Sequence, residues 1–297
     1  MRRTCLSLLS AAILSLSFAA SAAPAPEAGG SVVTAARMLD VRSGRMLKDV
    51  QILVQDGRIK QVASDGRAVE GGAGLPRHAL GDMTVLPGLI DMHVHIDSDP
   101  TFSGYSYLQF NDRFWSAVSV THAQKTLMAG FTTIRNLGAD DWNDVGLQQA
   151  IDQGRVVGPR IVPAAYAFGA TGGHCDSTYF PPSMRDRNEY NADNPEEARR
   201  SVREVRKYGA QVIKICATGG VFSRNTEPGQ QQLSEAEMRA VVEEAHQWGL
   251  KVAAHAHGTS GIKAAIRAGV DTIEHASLID DEGIALAIKH GAWLSMD

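Results

Sequence analysis

Two His-x-His pairs, one lysine inside an apolar run and one further histidine are the residues of this chain best suited to hold a cation. His93 and His95 close the run Leu89-Ile90-Asp91-Met92-His93-Val94-His95. In an extended strand, residues two apart share a face, so the two imidazoles point the same way, and imidazole is a common metal ligand. Met92, Val94 and Ile96 take the other face and are apolar, as in a strand covered on both sides. His255-Ala256-His257 repeats the spacing. Lys214 lies within Val212-Ile213-Lys214-Ile215-Cys216, where an ammonium is costly unless paired. His275 ends Thr272-Ile273-Glu274-His275. A lone histidine in such a strand is more often a core residue, but the repeated spacing and the lysine argue for a shared centre. His78, His122, His246 and His290 fall in predicted loops or helices and are assigned no chemistry.

The elements that must position these residues follow a repeating pattern. A helical stretch ends in glycine and an apolar strand follows at once: at Gly130, Gly209, Gly249, Gly269 and Gly291. Glycine is the usual residue just past a helix end. Seven strands are predicted, around Leu89, Thr132, Ile161, Val212, Val252, Thr272 and Trp293. Between them run amphipathic helices, clearest over Ser234 to Trp248, where Ser234 and Glu237 form a capping box, and over Pro195 to Tyr208. Alternating helix and strand imply a parallel sheet with right-handed crossovers. An open doubly wound sheet would string the polar residues along an edge. Their recurrence at the downstream ends of successive strands favours an α/β fold of the (β/α)8 TIM-barrel type, here lacking strand eight, over residues 87–297. Ahead of it, Ser31 to Met83 reads as β-structure, with Asp56-Gly57 as a hairpin turn between Val50-Gln51-Ile52-Leu53-Val54 and Arg58-Ile59-Lys60-Gln61-Val62. We expect residues 31–86 to be the N-terminal part of a small β-domain, a β-sandwich at the N-terminal side of the barrel.

Composition sets the outer bounds. The chain has 297 residues, 44% hydrophobic and 21% charged, with a formal net charge of −4. That is ordinary globular composition, and neither the charge nor any basic run suggests a nucleic-acid partner. Residues 1–22 read as a Sec-type signal peptide: Arg2-Arg3, an apolar stretch from Leu6 to Ala20 too short for a comfortable membrane span, and the small-residue cleavage site Ala20-Ser21-Ala22. Residues 23–30 form a Pro/Ala/Gly linker. Cleavage removes Arg2 and Arg3, leaving 27 basic against 33 acidic residues and a mature charge of −6. The expected location is secreted or periplasmic, with no membrane association after cleavage. Cys5 leaves with the leader. Cys175 and Cys216 remain, to pair in an oxidising compartment or to stay as two thiols.

The run Leu86-Pro87-Gly88-Leu89-Ile90-Asp91-Met92-His93-Val94-His95, with Lys214, His255 and His275 on later strands, resembles the amidohydrolase superfamily. Thr218-Gly219-Gly220, Gln230-Gln231-Gln232-Leu233-Ser234, His255-Ala256-His257-Gly258 and Gly269-Val270-Asp271-Thr272-Ile273-Glu274-His275 narrow the likeness. They are similar to metal-dependent Xaa-Pro dipeptidases, basic-residue carboxypeptidases and secreted ochratoxin-hydrolysing amidases, from about Ser31 to Asp297. The resemblance implies two zinc ions, one held by His93 and His95, the other by His255 and His275, with Lys214 bridging them as a carbamate formed from carbon dioxide. It implies amide hydrolysis of a small dipeptide or N-acyl amino acid by a water activated between the ions. By the family's His-Ala position His255 is the ligand, and His257 contacts the substrate. His174, Ser98 and Arg224 are further candidates for substrate contacts. The family pattern also places an Asp on an eighth strand. This chain reaches only Met296-Asp297 after the seventh, and Asp297 is not promoted to that role. The alternatives are a cyclic-amide hydrolase on the same scaffold, or an inactive fragment that still binds metal or ligand. A homo-oligomer stays open.

Overall fold

The computed structural model describes residues 29–296. The expected leader, most of the linker and Asp297 lie outside the described residues. These divide into two compact units, one up to Val85 and one from Leu86.

The first unit holds β1 (Ser31–Asp40), β2 (Arg45–Gln55), β3 (Arg58–Ala63), β4 (Arg77–Ala79) and β5 (Thr84–Val85). They form one mixed sheet in the order β3-β2-β1-β4, with β5 also paired to β1. Asp56 (φ 52°) and Gly57 (φ 68°) are both left-handed, as a two-residue turn between right-twisted antiparallel strands requires. Of the β-sandwich expected to begin in residues 31–86, the described residues form a single sheet. The turns between β3 and β4 fold Val69 and Leu75 onto Val32, Leu53 and Ala63, so one face is covered by a loop.

The second unit alternates as the glycine pattern predicts. In order it contains β6 (Leu89–Val94), α1 (Phe114–Met128), β7 (Phe131–Asn136), α2 (Asn143–Asp152), β8 (Arg160–Pro163), α3 (Pro195–Lys207) and β9 (Val212–Cys216). Then come α4 (Glu235–Gln247), β10 (Lys251–Ala256), α5 (Thr259–Ala268), β11 (Thr272–His275), α6 (Asp281–His290) and β12 (Trp293–Ser295). All seven expected strands are present. They pair in parallel as β6-β7-β8 and β9-β10-β11-β12. A bridge between Phe168 and Ile215 joins the two sheets: Cys216 N–H donates to Phe168 O at 2.9 Å, and Phe168 N–H to Lys214 O at 3.2 Å.

Helix ends follow local chemistry. Asn194 accepts from Glu196 and Glu197 N–H at the start of α3, with Pro195 in the first turn, and Ser234 and Glu237 close a reciprocal capping box on α4. Every residue of β9 is buried. Ile213, Ile215, Val252, Ala254 and Ile273 share one core with Met238, Val241 and Ala245 of α4 and with Ile262, Ala265 and Ile266 of α5. The opposite faces of the strands also enclose polar groups. Arg135 on β7 reaches the Met92 carbonyl on β6 (2.6 Å) and Thr272 Oγ1 (3.1 Å) and Glu274 Oε1 (2.8 Å) on β11. The parallel array therefore curls until its first and sixth strands face a common interior.

The two cysteines pair. Cys175, in the segment after β8, is bonded to Cys216, the last residue of β9, with Cα atoms 5.8 Å apart. The bridge closes a loop with a sequence separation of 41 residues, for which the chain-entropy model gives about 4 kcal/mol. Replacing both cysteines by serine should lower the unfolding free energy by roughly 3–4 kcal/mol and raise the denaturant slope, because the unfolded chain loses its cross-link and expands. Chemical denaturation of the oxidised protein and the double variant measures this. Equal midpoints would mean that the bridge contributes nothing.

Candidate metal centre

Four strand ends converge on one group of side chains. β6 supplies His93 and, just past its end, His95; β9 supplies Lys214; β10 supplies His255 and, just past its end, His257; and β11 supplies His275. Lys214 Nζ lies 3.3 Å from His93 Nε2, and Lys214 is only 3% exposed. The His93 ring lies 5.4 Å from His95 and 4.9 Å from His275, and His255 lies 4.8 Å from His275. His257 stacks on His275 at 4.6 Å. One nitrogen from each of His255, His257 and His275 lies within 4.8 Å of the other two, close enough for one cation to be held among them.

The backbone is bent to make this possible. Alternation along β11 would send Glu274 and His275 to opposite faces. His275 (φ 71°) and Ala276 (φ 50°) instead adopt the left-handed region, rare for residues with a Cβ and costing on the order of 1–3 kcal/mol each. That turn brings His275 into the ring of histidines while Glu274 stays wholly buried behind it.

The remaining ring nitrogens show how the site fits a metal. His95 Nδ1 lies 3.1 Å from Gly138 O, and His255 Nε2 lies 2.9 Å from Gly219 O. A ring nitrogen facing a carbonyl oxygen must carry the proton, which leaves the other nitrogen with its lone pair. His93 Nδ1 lies 3.3 Å from Glu274 Oε2, which leaves Nε2 toward Lys214. Metal-binding histidines almost always donate their second nitrogen in this way. Charge agrees. Its enclosing walls, then the charge of Lys214, then His93, push His95 down to about 3. Burial, then His174 and Lys214, lower His255 as well. Both rings are therefore neutral, with lone pairs available, at neutral pH.

His174 stacks on His255 with centroids 4.2 Å apart, and its Nδ1 meets Ser223 Oγ at 2.8 Å. Burial first, then Lys214 and His257, bring it down to about 4. His257 Nδ1 meets Ser277 Oγ at 2.8 Å at the outer rim. Ser98 donates to His95 O and lines a cavity of about 820 Å³ that opens beside His95 and His174. Arg224 is the candidate that the fold does not bring in: its side chain is exposed and lies outside the cavity lining.

Sequence reasoning passed over Glu274, Arg135 and Asp97. Burial opposes the charge of Glu274, yet the His93 contact and Arg135 hold it down at about 2. Asp97, buried at the end of β6, accepts from Asp140 N–H and Asn143 Nδ2. Burial and then Asp140 raise it to about 7. The usable signal for Glu274 and Arg135 was the one applied to Lys214, a charged residue inside an apolar strand.

A family model described as the amidohydrolase family matches residues 84–297. The chain belongs to the amidohydrolase family. Ochratoxinase from Aspergillus niger is 32% identical over 263 residues, spanning 80% of this chain and 53% of the relative. A Xaa-Pro dipeptidase structure with methionine bound in its active site superposes with a TM-score of 0.82 at 32% identity, covering 90% of this chain and 66% of that one. The Aspergillus niger ochratoxinase structure gives 0.79 at 30% identity, covering 91% and 66%. This amidohydrolase chain spans about half the length of the curated relatives it matches first.

Gly220 gives a direct test of the site's packing. A Cβ there would lie 2.3 Å from His174 Cε1, so Gly220→Ala must displace the ring from His255. The variant should keep its fold by circular dichroism, while the ring proton shifts of His174 and His255 move as their stacking is lost. Unchanged ring shifts in a folded Gly220→Ala protein would mean that the two rings do not pack as described.

Proposed function

We propose that this protein is the core of a secreted or periplasmic hydrolase that cleaves the amide bond of small dipeptides, on a (β/α)8 barrel whose first seven strands are β6 to β12. The observation that carries the reading is the set of histidines at the strand ends around Lys214, with His95 and His255 each backed by a backbone carbonyl and His93 by Glu274. Curling of the parallel array supports the barrel, and the paired cysteines fit export to an oxidising compartment.

His93 and His95 would hold one zinc ion, and His255 and His275 a second. When bound, the pair supplies a water of lowered pKa and a Lewis acid for the amide carbonyl. Lys214 explains itself in this setting. Its amine nitrogen adds to carbon dioxide, loses a proton and becomes a carbamate, turning a group that repels cations into a two-oxygen anionic ligand. His257, held by Ser277, is placed at the rim to donate to the substrate's carbonyl oxygen or carboxylate, with His174 and Ser98 beside it.

The cavity favours dipeptides over N-acyl amino acids. Six aspartates but only one arginine line it, among aromatic side chains that include Tyr107, Trp115 and Tyr166. Such walls suit an ammonium, by charge and through the ring faces. An anionic acyl group meets carboxylates instead of a counter-charge, and a neutral one gains only from the rings.

Protein purified without added metal should carry close to two zinc equivalents. Lys214→Ala should lose metal and activity together, with partial recovery of both in a short-chain carboxylic acid. Lys214→Arg should not recover, because guanidinium stays cationic. Elemental analysis beside kinetics decides it, and normal activity in Lys214→Arg would rule out the bridging role.

His255 and His257 should fail differently. His255→Asn should lose zinc. His257→Asn should retain near-normal zinc and lose about 10²–10³ in kcat, the usual cost of one donor to a developing oxyanion. Zinc loss in the second with retention in the first would reverse the two assignments.

A further inference from the structure

Glu274 divides its two oxygens between different tasks. Oε1 accepts from Arg135 Nη2 at 2.8 Å and from Thr272 Oγ1 at 2.5 Å. Oε2 lies 3.3 Å from His93 Nδ1. A carboxylate that served only to neutralise a buried arginine would do so best with both oxygens, in the two-pronged geometry that guanidinium offers. Arg135 does otherwise. Its Nε goes to Met92 O at 2.6 Å and its Nη1 to Thr272 Oγ1 at 3.1 Å, so a single prong reaches Glu274. The carboxylate is gripped from one side and its other oxygen lies across from the imidazole Nδ1 at ion-pair distance. The grip also reaches the strand that carries His93, since Met92 precedes it.

We propose that Glu274 is a positioning residue for His93, fixing the proton on Nδ1 so that the Nε2 lone pair faces Lys214, and that Arg135 and Thr272 hold Glu274 in place for this. The inference rests on the metal-site reading for its consequence, but the proton position is a property of the protein alone. Glu274 sits between two candidate ligand strands: its own backbone continues into His275, and its side chain reaches His93 on β6. Movement of this one carboxylate would disturb ligands of both proposed ions.

The test is Glu274→Gln. The amide oxygen replaces Oε1 toward Arg135 and Thr272, which turns the NH2 group toward His93. A donor facing Nδ1 forces the proton onto Nε2 and removes the lone pair that faces Lys214. Two readouts are taken. Nitrogen-15 spectra of the metal-free protein should show the unprotonated nitrogen of His93 move from Nε2 to Nδ1. Zinc affinity, measured by competition with a chelator, should fall roughly 10–100-fold, the range for loss of such a partner. Glu274→Asp, which keeps the charge at a shorter reach, should restore the original tautomer in part. If Glu274→Gln does not fold, Thr272→Val carries the same test, loosening Oε1 while keeping the carboxylate, with a smaller loss of zinc affinity.

An unchanged His93 tautomer in a folded Glu274→Gln protein would overturn the proposal, and so would unchanged zinc affinity in a folded Thr272→Val protein if that variant has to stand in. Absence of zinc from the wild type would instead count against the metal reading, with the tautomer shift still deciding the role of Glu274.

Discussion

Enclosing Lys214 in a strand whose five residues are all shut off from solvent is the constraint on which the α/β unit depends. An ammonium in that position is tolerated only where the surroundings answer its charge or where the charge is chemically removed. The neighbourhood is arranged around it. Its positive field is one reason that His95, His174 and His255 resist protonation, after burial itself. Glu274, drawn down by His93 and Arg135, also responds to Lys214. A strand of small and branched apolar residues with one lysine at its centre has little packing reason to keep that lysine, and its position among imidazoles supplies a chemical one.

The scaffold was legible because its signals are local. Glycines after helices, the capping box at Ser234 and the apolar runs between them mark every strand of the second unit, since each depends on a few neighbouring residues. The histidine pairs were legible for the same reason: spacing two along a strand fixes the face. What escaped the sequence depends on long-range closure. Nothing near Arg135 announces that it meets Glu274, 139 positions away, because the contact exists only once the sheet has curled. His275 is a related case. Alternation alone would have placed it on the wrong face, and only the left-handed backbone at His275 and Ala276 corrects this.

The first unit was legible only in part, for another reason. Period-two patterning identifies strands that bury one face but does not say what covers that face. Val69 and Leu75, in turns between strands, perform that role for one face of the sheet here. Arg224 shows the same limit on the site side. Its place in the chain just after β9 suggested the mouth of the site, but a loop can carry a long side chain either way, and this one carries it outward.

The join between the two parallel sheets has a mechanical meaning. β6, β7 and β8 meet β9 to β12 through the backbone at Phe168 and through Gln211 N–H donating to Pro163 O, reinforced by Arg135 across the interior, by Leu137 and Ala164 packed on Val212 and Ala253, and by the Cys175–Cys216 bond beside the seam. The histidines divide along the same line, with His93 and His95 on one sheet and His255, His257 and His275 on the other. Ions coordinated from both sides would act as rivets across that seam. Filling the centre would then stiffen the seam against shear, adding a polar clamp to the backbone, apolar and disulfide contacts that already cross it.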